Sequence, residues 1–342
     1  MNIKKIGLSA LAGSLAVVSA NAVELSVSGK TEVTYMSNED NTTGNPYGMG
    51  NSITFSGSGD VNGMTATYTA ALGDGGQANS NTSETFASSS LMLDMGDMGT
   101  VGFDQGVGEF GVGTIDDKMP YAYEEIWHNV GTSNGLRAAG GTNVLGYKNT
   151  VAGVAVSLEI DPGHTNNSGK GSSGDGGSTG VGTEDSGYNI AITSASLYDG
   201  VNAGIGYGKE ESTLDSLSDD SDSSFATAFV TYAIGGATIG AQMSEGYGGS
   251  VGTSSNDVKI FGVSYSVNEN LAISYGRMDN DYALGTSVTA VNTSVKEKTS
   301  GVGASYTLGS AAVRVLASEG KNIGGQEGKK EDHVEVSLML AF

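Results

Sequence analysis

The sequence contains no cysteine and only three prolines in 342 residues, whereas glycine occurs 55 times. Without cysteine, the chain can have neither disulfide bonds nor thiolate metal sites. Abundant glycine, scarce proline and the lack of long helix-forming stretches together predict an all-β protein. Beyond the first residues, no apolar run approaches the roughly 20 residues that a membrane-spanning helix needs.

Residues 1–22 have the composition of a secretory signal. Lys4 and Lys5 are charged, residues 6–18 are apolar and small, and residues 20–22 form an A-x-A cleavage site. The alternative is an N-terminal membrane anchor, but an apolar stretch of about 13 residues is too short to cross a bilayer as a helix. We therefore predict a signal peptide at residues 1–22 and a single mature domain at residues 23–342.

Positive charge is scarce. The chain has 38 acidic and 16 basic side chains, and without the signal residues Lys4 and Lys5 the 14 remaining basic groups leave a net charge of −24. This balance argues against nucleic acid as a partner. Most acidic residues fall in intervals rich in Gly, Ser and Asn, so we expect solvated loops to carry the charge.

The two ends of the mature chain alternate between apolar and polar residues. At the start, Leu25, Val27, Val33 and Tyr35 share one parity and polar residues the other, and residues 333–342 repeat the pattern before ending on Phe342. A strand of this kind has one apolar and one polar face. It suits a wall with lipid on one side and water on the other.

Comparable segments recur along the whole chain. We predict sixteen strands, at residues 23–37, 51–61, 64–73, 85–95, 99–106, 143–150, 153–161, 187–197, 201–209, 224–234, 237–244, 257–267, 271–278, 298–308, 311–319 and 332–342. Short links, such as Asn62-Gly63 and Gly235-Gly236, alternate with long ones. This rhythm predicts a transmembrane antiparallel up-and-down β-barrel of about 16 strands, which is wide enough for an aqueous channel.

These features resemble the general bacterial porin family, and more closely its α-proteobacterial branch. The resemblance covers the whole mature chain and includes the A-x-A signal, the first strand VELSVSGKTEVTYMS, the alternating link lengths and the terminal strand HVEVSLMLAF. It implies an outer-membrane homotrimer surrounded by lipid. It also implies that Phe342 is part of the signal read by the outer-membrane assembly machinery, and that the third external loop folds inward as a constriction.

The longest link, from Gln105 to Thr142, is the candidate for that inward-folded third loop. Its length and its aromatic residues favour this position over an ordinary solvated surface loop. The candidate acidic residues of the constriction are Glu109, Asp116, Asp117, Glu124 and Glu125.

The resemblance also implies basic side chains on the barrel wall opposite this loop. The whole chain has only three arginines, Arg137, Arg277 and Arg314, so a dense arginine cluster cannot form. The alternation of the strands places Lys30, Lys148 and Arg314 on polar faces, and these are the wall candidates. Arg314 could equally be paired with a neighbouring carboxylate for structural reasons.

Nothing in the sequence predicts an enzyme. There is no cysteine, and His128, His164 and His333 do not have the spacing of a catalytic or metal-binding motif. We expect no cofactor, except that the acidic run Asp215, Asp219, Asp220 and Asp222 could bind a divalent cation such as Ca²⁺ weakly.

The sequence thus predicts an outer-membrane porin for passive diffusion of ions and small hydrophilic solutes, with a preference for cations. Two alternatives remain at this point. One is a substrate-selective outer-membrane channel, and the other is a soluble secreted all-β binding protein.

Overall fold

The structure, a computed structural model, describes residues 22–38, 45–73, 88–116, 118–130, 142–162, 186–210, 223–247, 253–284 and 295–342. These residues form sixteen strands: β1 (Ala22–Asn38), β2 (Tyr47–Val61), β3 (Met64–Gly73), β4 (Ser88–Asp94), β5 (Thr100–Gln105), β6 (Thr142–Val151), β7 (Val154–Asp161), β8 (Gly187–Tyr198), β9 (Val201–Glu210), β10 (Ser223–Ile234), β11 (Ala237–Tyr247), β12 (Thr253–Ser266), β13 (Leu271–Leu284), β14 (Glu297–Leu308), β15 (Ala311–Lys321) and β16 (Lys330–Ala341).

Three short 3₁₀ helices, Gly96–Met98, Gly111–Ile115 and Ile323–Gly325, accompany the strands. Among the described residues, no helix has the length and apolarity needed to span a membrane. The predicted signal at residues 1–22 falls almost entirely on residues 1–21, which lie outside the described part, so its cleavage stays a prediction.

The strands form one closed antiparallel barrel in which each strand pairs with its neighbours in sequence and β1 pairs with β16. The predicted fold class and the count of sixteen are therefore confirmed. Three strands are longer than predicted: β2, β12 and β13 begin or end four or more residues further out. Residues 85–87 of the predicted fourth strand lie outside the described residues.

The short links are tight turns at one end of the barrel. Between β2 and β3, Asn62 and Gly63 adopt φ angles of 56° and 82°, which is the left-handed geometry of a two-residue hairpin turn. Asp60 accepts hydrogen bonds from the Gly63 amide at 3.2 and 3.3 Å. The predicted links at 198–200, 235–236, 268–270 and 309–310 also join consecutive strands.

The faces of the strands are the reverse of those in a water-soluble protein. In β16, Val334, Val336 and Leu338 are exposed, whereas His333 and Glu335 on the opposite face are buried. The same arrangement recurs around the barrel, where dozens of large apolar side chains are exposed. An apolar exterior of this extent requires an apolar environment.

The seam between β1 and β16 closes the barrel at its last residue. The Phe342 amide donates to the Gly29 carbonyl at 2.9 Å, and the Gly29 amide donates to the Phe342 carbonyl at 2.8 Å. A Cβ atom at Gly29 would lie 2.6 Å from the Phe342 ring, so the ring covers that glycine directly. Phe342 therefore takes part in closure, while its ring remains 71% exposed.

Deleting Phe342 should sharply lower the amount of folded barrel in the outer membrane. The deletion removes two seam hydrogen bonds as well as the exposed aromatic that we predict the assembly machinery reads. The measurement is the amount of heat-modifiable protein in isolated outer membranes. Phe342→Tyr, which keeps the ring and both backbone bonds, is the matched control. Normal accumulation of the deletion variant would rule out the predicted role.

Candidate functional site

The link between β5 and β6, residues 106–141, is here called L3, and its described residues fold into the barrel. It is described at residues 106–116 and 118–130. The buried carboxylate of Asp104, at the end of β5, accepts hydrogen bonds from the amides of Val107 (2.7 Å) and Glu109 (2.6 Å). These bonds turn the chain inward at the point where it leaves the sheet. The predicted inward-folded third loop is thus present in the structure.

The first half of L3 is held to the inner wall by backbone amides. The Gly111 amide donates to Ser157 Oγ on β7 at 2.8 Å, and the Val112 amide donates to Asn189 Oδ1 on β8 at 2.7 Å. Both acceptors are buried. Buried amides of a loop need partners of this kind, because an unpaired one would cost about 1–3 kcal/mol.

Apolar packing also holds L3 against the inner wall of the barrel. L3 and the inner faces of β8, β10, β12 and β13 share one buried cluster, formed by Val112, Ile115, Met119, Ile126, Ala191, Phe225, Phe229, Val258, Ile260 and Met278. Tyr121 and Trp127 pack against it. Inside the barrel, L3 therefore has a hydrophobic core of its own.

A row of glycines makes room for the loop. Gly240, Gly262, Gly276 and Gly301 are directly paired across β11, β12, β13 and β14. A Cβ at Gly240 would lie 2.7 Å from Pro120, and one at Gly276 would lie 2.4 Å from the Tyr121 ring. Near the start of L3, a Cβ at Gly146 on β6 would lie 2.0 Å from Phe110. L3 lies flush against the wall because these positions carry no side chain.

The second half of L3 is fixed by polar contacts to β13, β15, β16 and β1. The Ala122 amide donates to Ser274 Oγ at 2.9 Å. The Tyr123 hydroxyl lies 3.1 Å from Glu32 Oε1 and also contacts Glu335, so its single proton is shared between the two carboxylates. Because Glu32 and Glu335 lie on β1 and β16, this single tyrosine bridges L3 to both strands of the closing seam.

Arg314 completes the contact with Tyr123. Its guanidinium carbon lies 4.6 Å from the centre of the Tyr123 ring, and its Nη2 lies 2.7 Å from Glu32 Oε1. The guanidinium and the Glu32 carboxylate form a partly buried ion pair. Cation–π contact adds to it.

Two histidines share the Glu335 carboxylate. His128 Nε2 on L3 and His333 Nε2 on β16 each lie 3.4 Å from Glu335 Oε2, and the two rings meet edge to face with centroids 6.1 Å apart. The other ring nitrogen of His333 contacts Asn38. The hydrogen bond to Glu335 raises the pKa of His128, and Glu124 and Glu125 add to the shift.

The structure pairs two of the predicted site residues with each other. Lys148 Nζ lies 2.6 Å from Glu109 Oε2 and 5.5 Å from the centre of the Phe110 ring. Both belong to the region where L3 enters the barrel.

The other candidates have different surroundings. Asp116 and Lys30 are exposed, and Glu124 and Glu125 are partly buried on L3 near His128. Arg314 faces inward, as its parity predicted, and is paired with Glu32.

Asp117 lies outside the described residues, as do Asp215, Asp219, Asp220 and Asp222, so the possible divalent-cation site stays a prediction. Within the described ranges, no group of three or more His, Asp or Glu residues could bind a metal ion.

Sequence reasoning missed the residues that fasten L3, namely Glu32, Tyr123, His128, His333 and Glu335. The two histidines are 205 positions apart, and only the closure of β16 on β1 brings β16 beside the end of L3. The sequence gives only a weak indication of these contacts. Glu32 and Glu335 are acids on the inward faces of the first and last strands, where a lumen-facing charge needs a partner.

A family model described as Gram-negative porin matches residues 7–339. The chain belongs to this porin family. Porins of this family are outer-membrane channel proteins, so this chain is an outer-membrane β-barrel protein. The alternative of a soluble secreted binding protein is therefore wrong.

Solved structures share the fold at low sequence identity. Salmonella typhi OmpF, in a complex with daunomycin, is 14% identical over 93% of this chain and 97% of that chain, with a TM-score of 0.67. The outer membrane channel DcaP of Acinetobacter baumannii is 14% identical over 94% of this chain and 98% of that chain, with a TM-score of 0.63. A mutant of Rh. blastica porin is 15% identical over 93% of this chain and 100% of that chain, with a TM-score of 0.59. No curated protein matches the chain.

Replacing Gly146 by alanine should destabilise this porin and change its conductance. The new methyl group would occupy the position of the fully buried Phe110 ring, so the start of L3 must move. Overpacking of this kind costs about 1–3 kcal/mol. The measurements are the thermal unfolding midpoint in detergent and the single-channel conductance. Gly113→Ala is the control, because open space surrounds that position. Identical behaviour of the two variants would contradict the packing of L3 on the wall.

The attachment of L3 should weaken at alkaline pH. Because the pKa of His128 is raised in the folded protein, its stabilising contribution is complete below about pH 6.5, the ordinary value. The contribution is lost as the pH rises through the raised pKa. Open-channel current noise should therefore grow with pH in the wild type and grow less in His128→Gln. An unchanged pH profile in the variant would show that His128 does not hold the loop.

Proposed function

We propose that this porin allows passive diffusion of ions and small hydrophilic solutes through a water-filled lumen that L3 narrows, with a preference for cations. The observation that carries the proposal is the position of L3 inside a sixteen-stranded barrel. Barrels of 16 to 18 strands are wide enough for an aqueous channel. L3 contacts the inner wall from β6 round to β16 and β1, which leaves the lumen between L3 and the remaining strands.

The cation preference follows from which charges are already paired. Lys148 is paired with Glu109, and Arg314 with Glu32, so two of the three candidate wall cations are neutralised locally. The described part of L3 carries the acids Glu124, Glu125 and Asp116 together with one lysine, Lys118, and the chain as a whole carries 38 acidic against 16 basic residues. In a lumen only a few Debye lengths wide, at about 10 Å per length in 0.1 M salt, this excess raises the local cation concentration.

The same proposal includes assembly. We propose a homotrimer embedded in outer-membrane lipid and inserted by the outer-membrane assembly machinery. A structure with the same fold, OmpT of Vibrio cholerae, is described in a trimer form, at 11% identity and a TM-score of 0.58. The exposed apolar exterior supports contact with lipid.

The reversal potential across a KCl gradient tests the cation preference. The wild type should show a cation-selective value, and Glu124→Gln with Glu125→Gln should shift it toward zero, because two negative charges leave the lumen. Glu319→Gln is the matched control, since this exposed acid lies on the outward face of β15. An anion-selective wild type, or equal shifts in the control and the double variant, would contradict the proposal.

A further inference from the structure

The part of the lumen wall that the described residues of L3 leave uncovered carries many hydroxyl groups. On β1 to β4 the inward positions include Ser26, Ser28, Ser52, Thr54, Ser56, Ser58, Thr65, Thr67, Thr69 and Ser88, here called the hydroxyl wall. Their direction follows from Glu32, which has the parity of Ser26 and Ser28 and contacts Tyr123 inside the barrel. Leu25 and Val27, of the other parity, are exposed outside.

The hydroxyls form rows across the strands. Ser26, Ser56 and Thr69 are directly paired from β1 to β3, so their Cα atoms follow one another at the spacing of neighbouring strands, about 4.8 Å. The contacts within the row are long. Ser26 Oγ donates to the Ser56 carbonyl at 3.3 Å, and Ser56 Oγ lies 3.5 Å from Thr69 Oγ1. Since each hydroxyl offers one donor and two acceptor positions, the row retains hydrogen-bonding capacity toward the lumen.

Among the side chains that the structure describes, few on this wall are charged, and Glu24 is paired in register with Ser58 at one end of it. Lys30 stands beside Ser52, whereas Asp60 and Asp94 lie at the turn ends of β2 and β4, where each accepts a hydrogen bond from a turn amide. Glu32 is neutralised by Arg314. The middle of the wall therefore presents neutral donors and acceptors opposite L3, rather than a set of cations.

A cavity of about 430 Å³ continues this surface around the barrel. Hydroxyl and amide side chains line part of it, among them Thr100, Thr150, Ser157, Thr193 and Asn202. The charged residues Asp94, Lys118 and Lys148, Thr114 of L3, and apolar residues such as Val156 and Phe229 also border it. Its volume is within the range of small-molecule sites, about 300–1,000 Å³. A small polar solute thus meets hydroxyl groups both on the wall and in this recess.

We infer that the lumen favours neutral polyhydroxylated solutes, such as monosaccharides and polyols, over zwitterionic solutes of the same size. The inference rests on the proposed diffusion function. A sugar can exchange its hydrogen bonds to water for bonds to wall hydroxyls at little net cost. A zwitterion carries two charged groups whose hydration is far stronger, and neutral hydroxyls replace that hydration poorly.

Liposome swelling tests the inference with arabinose and glutamine, a neutral sugar and a zwitterion of nearly equal mass. Wild-type protein should admit arabinose faster. The triple variant Thr54→Val, Ser56→Ala and Thr69→Val, which keeps side-chain volume nearly unchanged, should slow arabinose by roughly two- to tenfold, the effect of losing about one hydrogen bond. Glutamine entry and KCl conductance should stay at the wild-type level.

The matched control is Thr31→Val with Ser89→Ala, which removes two hydroxyls from the outward faces of β1 and β4. It should behave as the wild type. If the triple variant does not assemble, Thr69→Val alone is measured in the same way and should slow arabinose selectively. An unchanged arabinose rate, or an equal fall for both solutes, overturns the inference. A wild type that conducts no KCl would instead overturn the proposed function.

Discussion

Complete pairing of the backbone is the constraint on which this structure depends. In lipid no water is available to an unpaired amide or carbonyl, so the sheet must close, and it does so where β1 meets β16. In the closed barrel the apolar faces of the strands point outward and the polar faces inward, the reverse of a water-soluble protein. Val336 and Leu338, for example, lie outside and Glu335 inside. Once polar groups face inward, they are available to hold a loop, and L3 uses them.

L3 stays inside because two different kinds of interaction act along its length. Apolar packing on a wall in which glycines make room runs along the described part of L3, and charged and polar groups around Tyr123 and Glu335 hold its second half in addition. The apolar part does not respond to pH. The polar part does, through His128, and it is attached to the seam strands themselves. The position of the constriction is therefore linked to closure of the barrel.

The sequence predicted the barrel well because strand alternation and turn residues are local signals. Leu25 and Val27 reveal an apolar face, and Asn62-Gly63 reveals a turn, without knowledge of any distant residue. The attachment of L3 was not predictable in this way. His128 and Glu335 meet only after sixteen strands close, and the pairing of Gly262 with Gly276 depends on register between strands. The length and aromatic content of L3 indicated its inward position, but not its contacts.

The scarcity of arginine explains why the L3 side of the lumen and the opposite wall differ in charge. Arg314 is committed to Glu32 and Tyr123, and Lys148 to Glu109, so the cations near L3 neutralise acids beside them. The strands that L3 leaves uncovered could have carried compensating cations, yet they carry serine and threonine. We propose that an acidic loop facing a neutral hydroxylated wall attracts cations through its net charge and admits sugars by exchange of hydrogen bonds. Both proposed selectivities have one origin, because Arg314 and Lys148, which could have set up a strong field across the lumen, already hold L3.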